Sequence, residues 1–458
     1  MANSNNSSTI KGTNTMVLRL RLILSVFLFI IVSAFASCDK ETPNETEEKI
    51  LTHEDSLALG LIHENPTDTT STQPDNPPTP PAREIQVIID NIIYVLNEDE
   101  LTAKVCGIEG DDPKIMVIPE SVSYNNSEYP VVTIGGFYYH TKIEKVVIKG
   151  EKLKIIEPMA FAKCFRLSEI NLPNSLIEIG AYAFHNCSLS SVSFPNSLSK
   201  IGKAAFRVCP IETVVFPNNL ETIGDEAFYN CSLGDITIPN VKNIGAYAFQ
   251  YCNGIKSVKI IAGLETIGEK AFDNCRYLKE IWIPKSLQTI GNNAFGYCSN
   301  VNKVMIEDPV SWCHVSFATV DSNPLNSGSR LFNFENEEIT EVTISKGITA
   351  IGNYLFIECP SIVKVTIPDG VSTIGEGVFW GCNNIETLYI SKDVNNIGQH
   401  AFDCKKIQDI YCYATQVPKT GYFSFYPRNA TTLHVPYQSL SLYKSTDPWK
   451  YFGSIVSL

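Results

Sequence analysis

The sequence predicts a repeat solenoid, a mostly β fold in which short coils stack along one axis. The main observation is a recurring marker of Ile-Gly, then Ala-Phe, then Cys, as in Ile290-Gly291, Ala294-Phe295 and Cys298. Markers between residues 134 and 290 lie 21 to 23 residues apart, a fixed period that is typical of solenoids. One unit offers about five large apolar side chains, worth roughly 1.5–3 kcal/mol each. Ordering its backbone costs roughly 1–2 kcal/mol per residue, so the units fold only when stacked.

Each coil contains a short strand of the pattern L-x-x-I-x-I-P, and residues 278–284 are a clear copy. Alternate side chains of a strand point to opposite faces, so Ile281 and Ile283 are predicted to point inward. Glu280 and Trp282 then point outward. The proline ends the strand because it has no N–H to donate to a ladder. We expect equivalent strands to form a long parallel sheet, and the Ala-Phe-Cys segment to close each coil with a short helical turn.

The strand pattern resembles that of leucine-rich repeats, although Ser286 stands at their usual Asn or Cys position. The combination I-P-x-S-L-x-x-I-G-x-x-A-F-x-x-C resembles the BspA-like leucine-rich repeat family of bacterial surface proteins. This resemblance extends over roughly residues 93 to 458, with about eleven copies. It implies a leucine-rich-repeat solenoid, capped at both ends, that adheres to host proteins or other cells. It identifies no ligand.

Residues 1–37 have the pattern of a signal peptide with a basic start. The apolar run at residues 22–36 is shorter than the roughly 20 residues that span a bilayer as a helix. Its end, Phe35-Ala36-Ser37-Cys38, resembles a bacterial lipobox, which implies lipid attachment at Cys38. The alternative is a signal anchor with an incidental cysteine.

Residues 38–84 are rich in Thr, Pro and acidic residues, a composition that predicts a disordered, partly extended tether. Asp39 and Glu41 loosely resemble a surface-export signal of Bacteroidetes lipoproteins, although Lys40 interrupts it. We therefore expect a lipid-anchored protein of the outer membrane, exposed on the cell surface. An anchor facing the periplasm is the alternative.

The remainder of the chain divides according to where the repeat is present. The predicted parts are an N-terminal β cap with the first coil at 85–150, leucine-rich repeats at 151–306, an irregular hairpin insertion at 307–338, further repeats at 339–412, and a C-terminal cap at 413–458. Segments 92–96 and 102–105 are predicted to form a hairpin in the first cap. The insertion and the C-terminal cap both resemble elements of the family. In the latter, Tyr443, Trp449 and Phe452 are expected to cover the last coil.

Composition and motifs argue against several classes of function. A net charge of −13 offers no basic face to nucleic acid. H-E-x-x-H, C-x-x-C and G-x-S-x-G are all absent from the sequence, so no enzyme, catalytic residue, metal site or cofactor is predicted. Cys313-His314 is the one pair that suggests nucleophilic chemistry, and its family context is structural.

Cysteine recurs with the repeat. Ten of the 14 cysteines stand at the same place in successive coils. A buried column of thiols explains this regularity, because free cysteine is among the most buried residue types. Disulfides between neighbouring coils are geometrically possible and stay an alternative.

The outward face of the sheet is the predicted binding surface. Most of its positions are small and polar, but four carry large side chains, namely Trp282, Met305, Tyr389 and Tyr411. Exposed aromatic residues on a rigid sheet resemble binding hot spots, and Lys259 and Glu280 beside Trp282 complete the candidate set. The alternative is that these side chains pack against the insertion or the C-terminal cap, above all Met305 and Tyr411.

The expected partner is an extracellular protein of a host or of another microbe, besides the membrane through the lipid anchor. The alternative is a glycan-binding accessory lipoprotein of a surface polysaccharide-uptake system, because aromatic platforms such as Trp282 stack on sugar rings. The sequence does not choose the ligand.

Overall fold

The computed structural model describes residues 83–426 and 429–458. These residues form a β-solenoid of about 14 stacked coils, which confirms the predicted fold class. The predicted signal peptide, Cys38 and nearly all of the tether lie outside the described residues. Within them, no helix combines the length and the apolar composition that crossing a bilayer requires.

The L-x-x-I-x-I strands of successive coils pair in parallel on one side of the solenoid, here called the front sheet. Burial alternates along most of these strands, as in Glu280–Ile283, where Ile281 and Ile283 are buried and the other two residues are half-buried. Instead of one long sheet, the described strands form four blocks. They are Ile115–Ile118, Lys145–Ile148 and Glu169–Ile170; Ser191–Ser193 and Thr213–Val215; Ile236–Ile238, Ser257–Ile260, Glu280–Ile283, Lys303–Ile306 and Arg330–Asn333; and Glu341–Thr343, Lys364–Ile367, Thr387–Ile390, Asp409–Cys412, Thr432–Val435 and Ser454–Ser457.

A second row of parallel two-residue strands, here called the side row, contains the Ile of each Ile-Gly pair. The glycine is required because the coils approach closely there: a Cβ on Gly268 would lie 2.6 Å from the backbone nitrogen of Ala246. The strands of this row are Ile155–Ile156, Glu178–Ile179, Lys200–Ile201, Thr222–Ile223, Asn243–Ile244, Thr266–Ile267, Thr289–Ile290 and Ser316–Phe317, followed by Ala350–Ile351, Thr373–Ile374, Asn396–Ile397 and Lys419–Thr420.

The Ala-Phe-x-x-Cys segments form the third side of each coil, here called the turn side. Each is a series of hydrogen-bonded turns rather than a continuous helix. Tyr182 and Asn186 both have φ of 58°, and such left-handed residues interrupt a right-handed helix. As a result the amides point along the solenoid axis, and Phe184 N donates to Ala205 O of the next coil at 2.8 Å.

Two columns of side chains fill the core behind the turn side. Eight phenylalanine rings from Phe137 to Phe295 stack with centroids 5.2–5.6 Å apart, and the column resumes at Phe356. Nine of the ten repeat thiols donate to the carbonyl of a stacked phenylalanine one coil earlier, as Cys209 Sγ does to Phe184 O at 2.9 Å. The cysteines of the described residues are all free. Each of these nine thiols thus has a structural partner.

The N-terminal cap is an antiparallel sheet joined to the side row. Its strands are Glu84–Ile89, Ile92–Asn97 and Thr102–Ile108, followed by the hairpin Ser121–Tyr124 and Ser127–Ile134. The second and third of these strands confirm the predicted hairpin. Strand Thr102–Ile108 pairs in parallel with Ser127–Ile134, and the latter leads into the first coil.

The insertion is built into the stack as an irregular coil. It contains the short helix Pro309–Trp312, the 3-10 turns Val320–Ser322 and Pro324–Ser327, and strands of both rows. Its side chains replace the missing backbone ladder: Trp312 Nε1 donates to Leu355 O at 3.1 Å, and Asn323 Nδ2 donates to Tyr354 O at 2.7 Å. Antiparallel hairpin contacts occur only at its end, where Phe332 pairs with Glu338.

The C-terminal cap covers the last coil with aromatic side chains. Between its two front strands lie the 3-10 turn Tyr437–Ser439, the helix Leu440–Ser445 and the 3-10 turn Trp449–Tyr451. Tyr443, Trp449 and Phe452 are buried, as predicted. The adjoining turn side ends in the paired strands Phe402–Asp403 and Phe425–Tyr426.

Removing one ring from the phenylalanine column should destabilise the protein strongly. Phe228 is fully buried between Phe206 and Phe249, so we expect Phe228→Ala to cost about 3–5 kcal/mol. Phe165→Ala is the matched control, because Phe165 is 40% exposed and its loss should cost about 1 kcal/mol or less. Urea unfolding measures both. Equal losses in the two variants would contradict a dependence of stability on the column.

The column thiols should resist alkylation in the native protein. Burial raises the pKa of the Cys252 thiol to about 12, so its reactive thiolate makes up only about 10⁻⁴ of the population at pH 8. Cys106 is only half-buried, and iodoacetamide should modify it first.

Peptide mapping by mass spectrometry, before and after denaturation, follows each cysteine in that experiment. Among the cysteines that the structure describes, Cys106→Ser should abolish the early label and leave the remaining pattern unchanged. Disulfide-linked peptides, or labelling of the column at the rate of Cys106, would contradict the buried-thiol interpretation.

Candidate functional site

The first group of predicted residues lies in the third block of the front sheet. Lys259, Trp282, Met305 and Phe332 follow one another in register on neighbouring strands. Trp282 is half-buried and Lys259 is exposed. Met305 is only 2% exposed and lies in register between Trp282 and Phe332, the latter a residue of the insertion. The expectation that Met305 faces solvent is therefore wrong, and the alternative of packing against the insertion is the one that the structure shows. We call these four residues the Trp282 cluster.

Charged side chains accompany the Trp282 cluster along the adjacent outward column. Glu280, Lys303 and Arg330 stand in register there. Lys303 Nζ lies 5.1 Å and Arg330 Cζ lies 5.6 Å from the centre of the Phe332 ring, which is within the range of cation–π attraction. Arg330 also forms an ion pair with Glu338. The cluster is therefore an aromatic patch with charges of both signs at its margin.

The second group lies in the fourth block of the front sheet. The rings of Tyr389 and Tyr411 stack with centroids 4.9 Å apart, and those of Tyr411 and His434 stack at 4.3 Å. His434 Nε2 lies 2.8 Å from Asp409 Oδ1, which fixes the imidazole. Partial desolvation and then the Asp409 carboxylate raise the pKa of Tyr411, so its hydroxyl is a neutral hydrogen-bonding group at physiological pH. We call Tyr389, Tyr411 and His434 the Tyr389 cluster.

The structure thus groups the candidates into two clusters on different blocks. Lys259 and Glu280 belong with Trp282, whereas Tyr411 belongs with Tyr389. Phe332 and His434 extend these clusters and were missed from sequence. A period-two reading of the segments R-L-F-N and T-L-H-V would have placed both residues outward.

The remaining chemical candidates do not form a reactive site. Cys313 is buried, its pKa is raised by burial to about 11, and His314 is exposed. In the described parts of the chain, no group of three or more His, Cys, Asp or Glu side chains is placed to hold a metal ion.

What the front sheet offers is a rigid surface for recognition. Strand pairing fixes the backbone under each cluster, and solenoids present extended surfaces of this kind to partners. Half-buried aromatic side chains with charged neighbours are typical of the centres of protein interfaces. Fold and surface together define a leucine-rich-repeat solenoid, a class of fold that generally serves as a scaffold for protein interactions.

Comparison with known families identifies the type of repeat. The family model described as BspA type leucine rich repeat region matches six copies, over residues 133–256, 200–319 and 330–446. The chain belongs to this family. No curated protein sequence matches it.

Solved structures show similar solenoids. A leucine-rich repeat protein from Bacteroides ovatus is 23% identical and covers 81% of this chain and 99% of its own, with a TM-score of 0.52. A leucine rich cell surface protein from Faecalibacterium prausnitzii is 18% identical, with coverages of 84% and 95% and a TM-score of 0.36. A T. pallidum leucine rich repeat protein is 27% identical, with coverages of 47% and 91% and a TM-score of 0.34. The first of these supports the fold.

Proposed function

We propose that the protein is a lipid-anchored, adhesin-like recognition protein of the outer membrane, which binds an extracellular host or microbial protein through its front sheet. The observation that carries this proposal is the pair of aromatic clusters on an otherwise mostly small and polar face. Stacked, half-exposed rings retain their side-chain order in the free protein, so binding costs them little further conformational entropy.

A protein partner is favoured by the mixture of groups on the front sheet. The Trp282 cluster combines an aromatic centre with Lys259, Lys303 and Glu280, and protein interfaces use such charges to select partners and fix register. The Tyr389 cluster adds a second patch with its own hydrogen-bonding groups, His434 and Asp409. Two separated patches on one rigid body suit a partner with an extended surface.

Lipid attachment at Cys38 supplies the anchor in this proposal. A diacylglycerol together with an amide-linked acyl chain meets the requirement of more than one chain for stable anchoring. The Thr- and Pro-rich stretch up to residue 84 then spaces the solenoid from the membrane.

Truncating the clusters should weaken binding while the fold is retained. We expect Trp282→Ala and Tyr389→Ala each to weaken binding to an immobilised extracellular-matrix protein about 30-fold, the effect of a hot spot worth about 2 kcal/mol. Surface plasmon resonance against a panel of matrix proteins, with a glycan array in parallel, measures this. Tyr437→Ala is the matched control, because Tyr437 is 80% exposed and lies outside both clusters.

The same comparison tests the alternative function. Binding to glycans alone, lost in Trp282→Ala, would contradict protein recognition and support a role as a glycan-binding lipoprotein of a polysaccharide-uptake system.

The anchor and its exposure are tested in intact cells. Cys38→Ala should move the protein from the membrane fraction to the soluble fraction, because the acylated residue is lost. External protease should degrade the wild-type protein while a periplasmic marker stays intact. Resistance to protease until the outer membrane is broken would place the anchor on the periplasmic side.

A further inference from the structure

A groove lies on the turn side where the insertion interrupts the phenylalanine column. It consists of two adjoining depressions of about 430 and 460 Å³, and Glu358 lines both of them. Tyr297, in the last regular coil before the insertion, lies in the first depression, and Trp380 lies in the second. We call it the Glu358 groove. It is on a different side of the coil from the front sheet and is independent of the function proposed above.

The Glu358 carboxylate is the polar group that distinguishes this groove. It is half-buried, yet among the described residues it has neither a hydrogen bond nor an ion pair. Desolvation raises the pKa of Glu358, and the Lys405 ammonium opposes that rise. A Cβ on Gly381, whose φ is +76°, would lie 2.6 Å from Glu358 Oε1. The glycine therefore leaves the space that the carboxylate occupies.

Aromatic side chains flank this carboxylate. Trp380 is 37% exposed and Tyr297 is 76% exposed. Trp380 stacks on His400 at 5.1 Å, and His400 stacks in turn on Phe423 at 5.5 Å. The second depression is therefore lined by a supported row of rings.

The charge of the groove is negative. Asp321, Glu358 and Asp403 line it, and the one Lys or Arg among the lining residues of the two depressions is Lys405. Asp321 accepts a hydrogen bond from Asn326 at 2.8 Å, and Asp403 lies 3.0 Å from His400. Of these three acidic groups, Glu358 is thus the one without a hydrogen bond or an ion pair among the described residues, and the Lys405 ammonium offsets its charge only at longer range.

We infer that the Glu358 groove binds an arginine side chain of a partner protein. A guanidinium is planar and always charged; it can pair with a carboxylate through two parallel hydrogen bonds and stack on an aromatic ring. Glu358 and Trp380 supply these two complements. A neutral sugar ring can stack on Trp380 but leaves a desolvated charge unpaired, which is unfavourable.

The test uses the full chain labelled with 5-fluorotryptophan, observed by ¹⁹F NMR. The sequence has four tryptophans, so the spectrum is simple. Trp312 and Trp449 are buried, Trp282 reports the front sheet, and Trp380 reports the groove. The probes are a capped Gly-Arg-Gly peptide and the same peptide with citrulline, a neutral isostere of arginine.

We expect the arginine peptide to shift the Trp380 signal and leave that of Trp282 unchanged, with an affinity about tenfold higher than that of the citrulline peptide. Glu358→Gln should remove that difference.

Glu212→Gln is the control of equal charge, because Glu212 is exposed on a distant coil. Lys405→Gln should tighten binding about twofold by removing a like charge, a gain that damage to the fold would not produce.

Equal affinity for the two peptides, or an unchanged Trp380 signal, would overturn the inference. So would a neutral oligosaccharide that shifts Trp380 with higher affinity than the arginine peptide. None of these outcomes depends on whether the front sheet binds its own partner, since Trp282 reports that surface separately.

Discussion

The contact of each coil with the next is the constraint on which the whole structure depends. Three interactions repeat at this contact: the stacking of phenylalanine rings, the hydrogen bonds of the turn-side amides, and the hydrogen bond that most column thiols donate to a phenylalanine carbonyl. All three require that every coil present the same groups at the same spacing. Cysteine suits the third interaction because it is small and apolar and still carries a weak donor. Its recurrence is thus explained by packing alone.

The inward side chains of each coil are buried in contacts with neighbouring coils. Residues that recognise a partner must therefore stand at outward positions, which stacking does not require. Trp282 and Tyr389 replace small polar residues on the front sheet without altering strand pairing. The insertion has a different effect. It keeps the coils connected through side-chain hydrogen bonds from Trp312 and Asn323, but it interrupts the phenylalanine column, and the Glu358 groove lies at that interruption.

The periodic part of this structure could be predicted from sequence, because coil length, inward residues and caps follow from a single repeated pattern. Exposure of a particular outward residue could not. Met305 is buried because of the size of its lateral neighbours, and one of these, Phe332, lies in the irregular insertion. The spacing of Ala, Phe and Cys predicted a helical turn on the turn side. The sequence did not reveal the interruption of that helix, because the left-handed positions are occupied by residues such as Tyr182 and Asn186 and not by glycine. The Glu358 groove combines Tyr297 and Trp380, whose proximity depends on how the intervening insertion folds.

Rigidity links these surfaces to their chemistry. A half-buried carboxylate on a mobile loop would relax toward water and lose its preference for a cation. The backbone of Glu358 is held in place, since its amide donates to Trp380 O at 2.6 Å, and the Trp380 ring is stacked on His400. The rings of Tyr389, Tyr411 and His434 are held in the same manner by strand pairing. In both places the stacked coils fix the backbone beneath the binding side chains before a partner arrives, so the stability of the solenoid and its capacity to bind have the same physical origin.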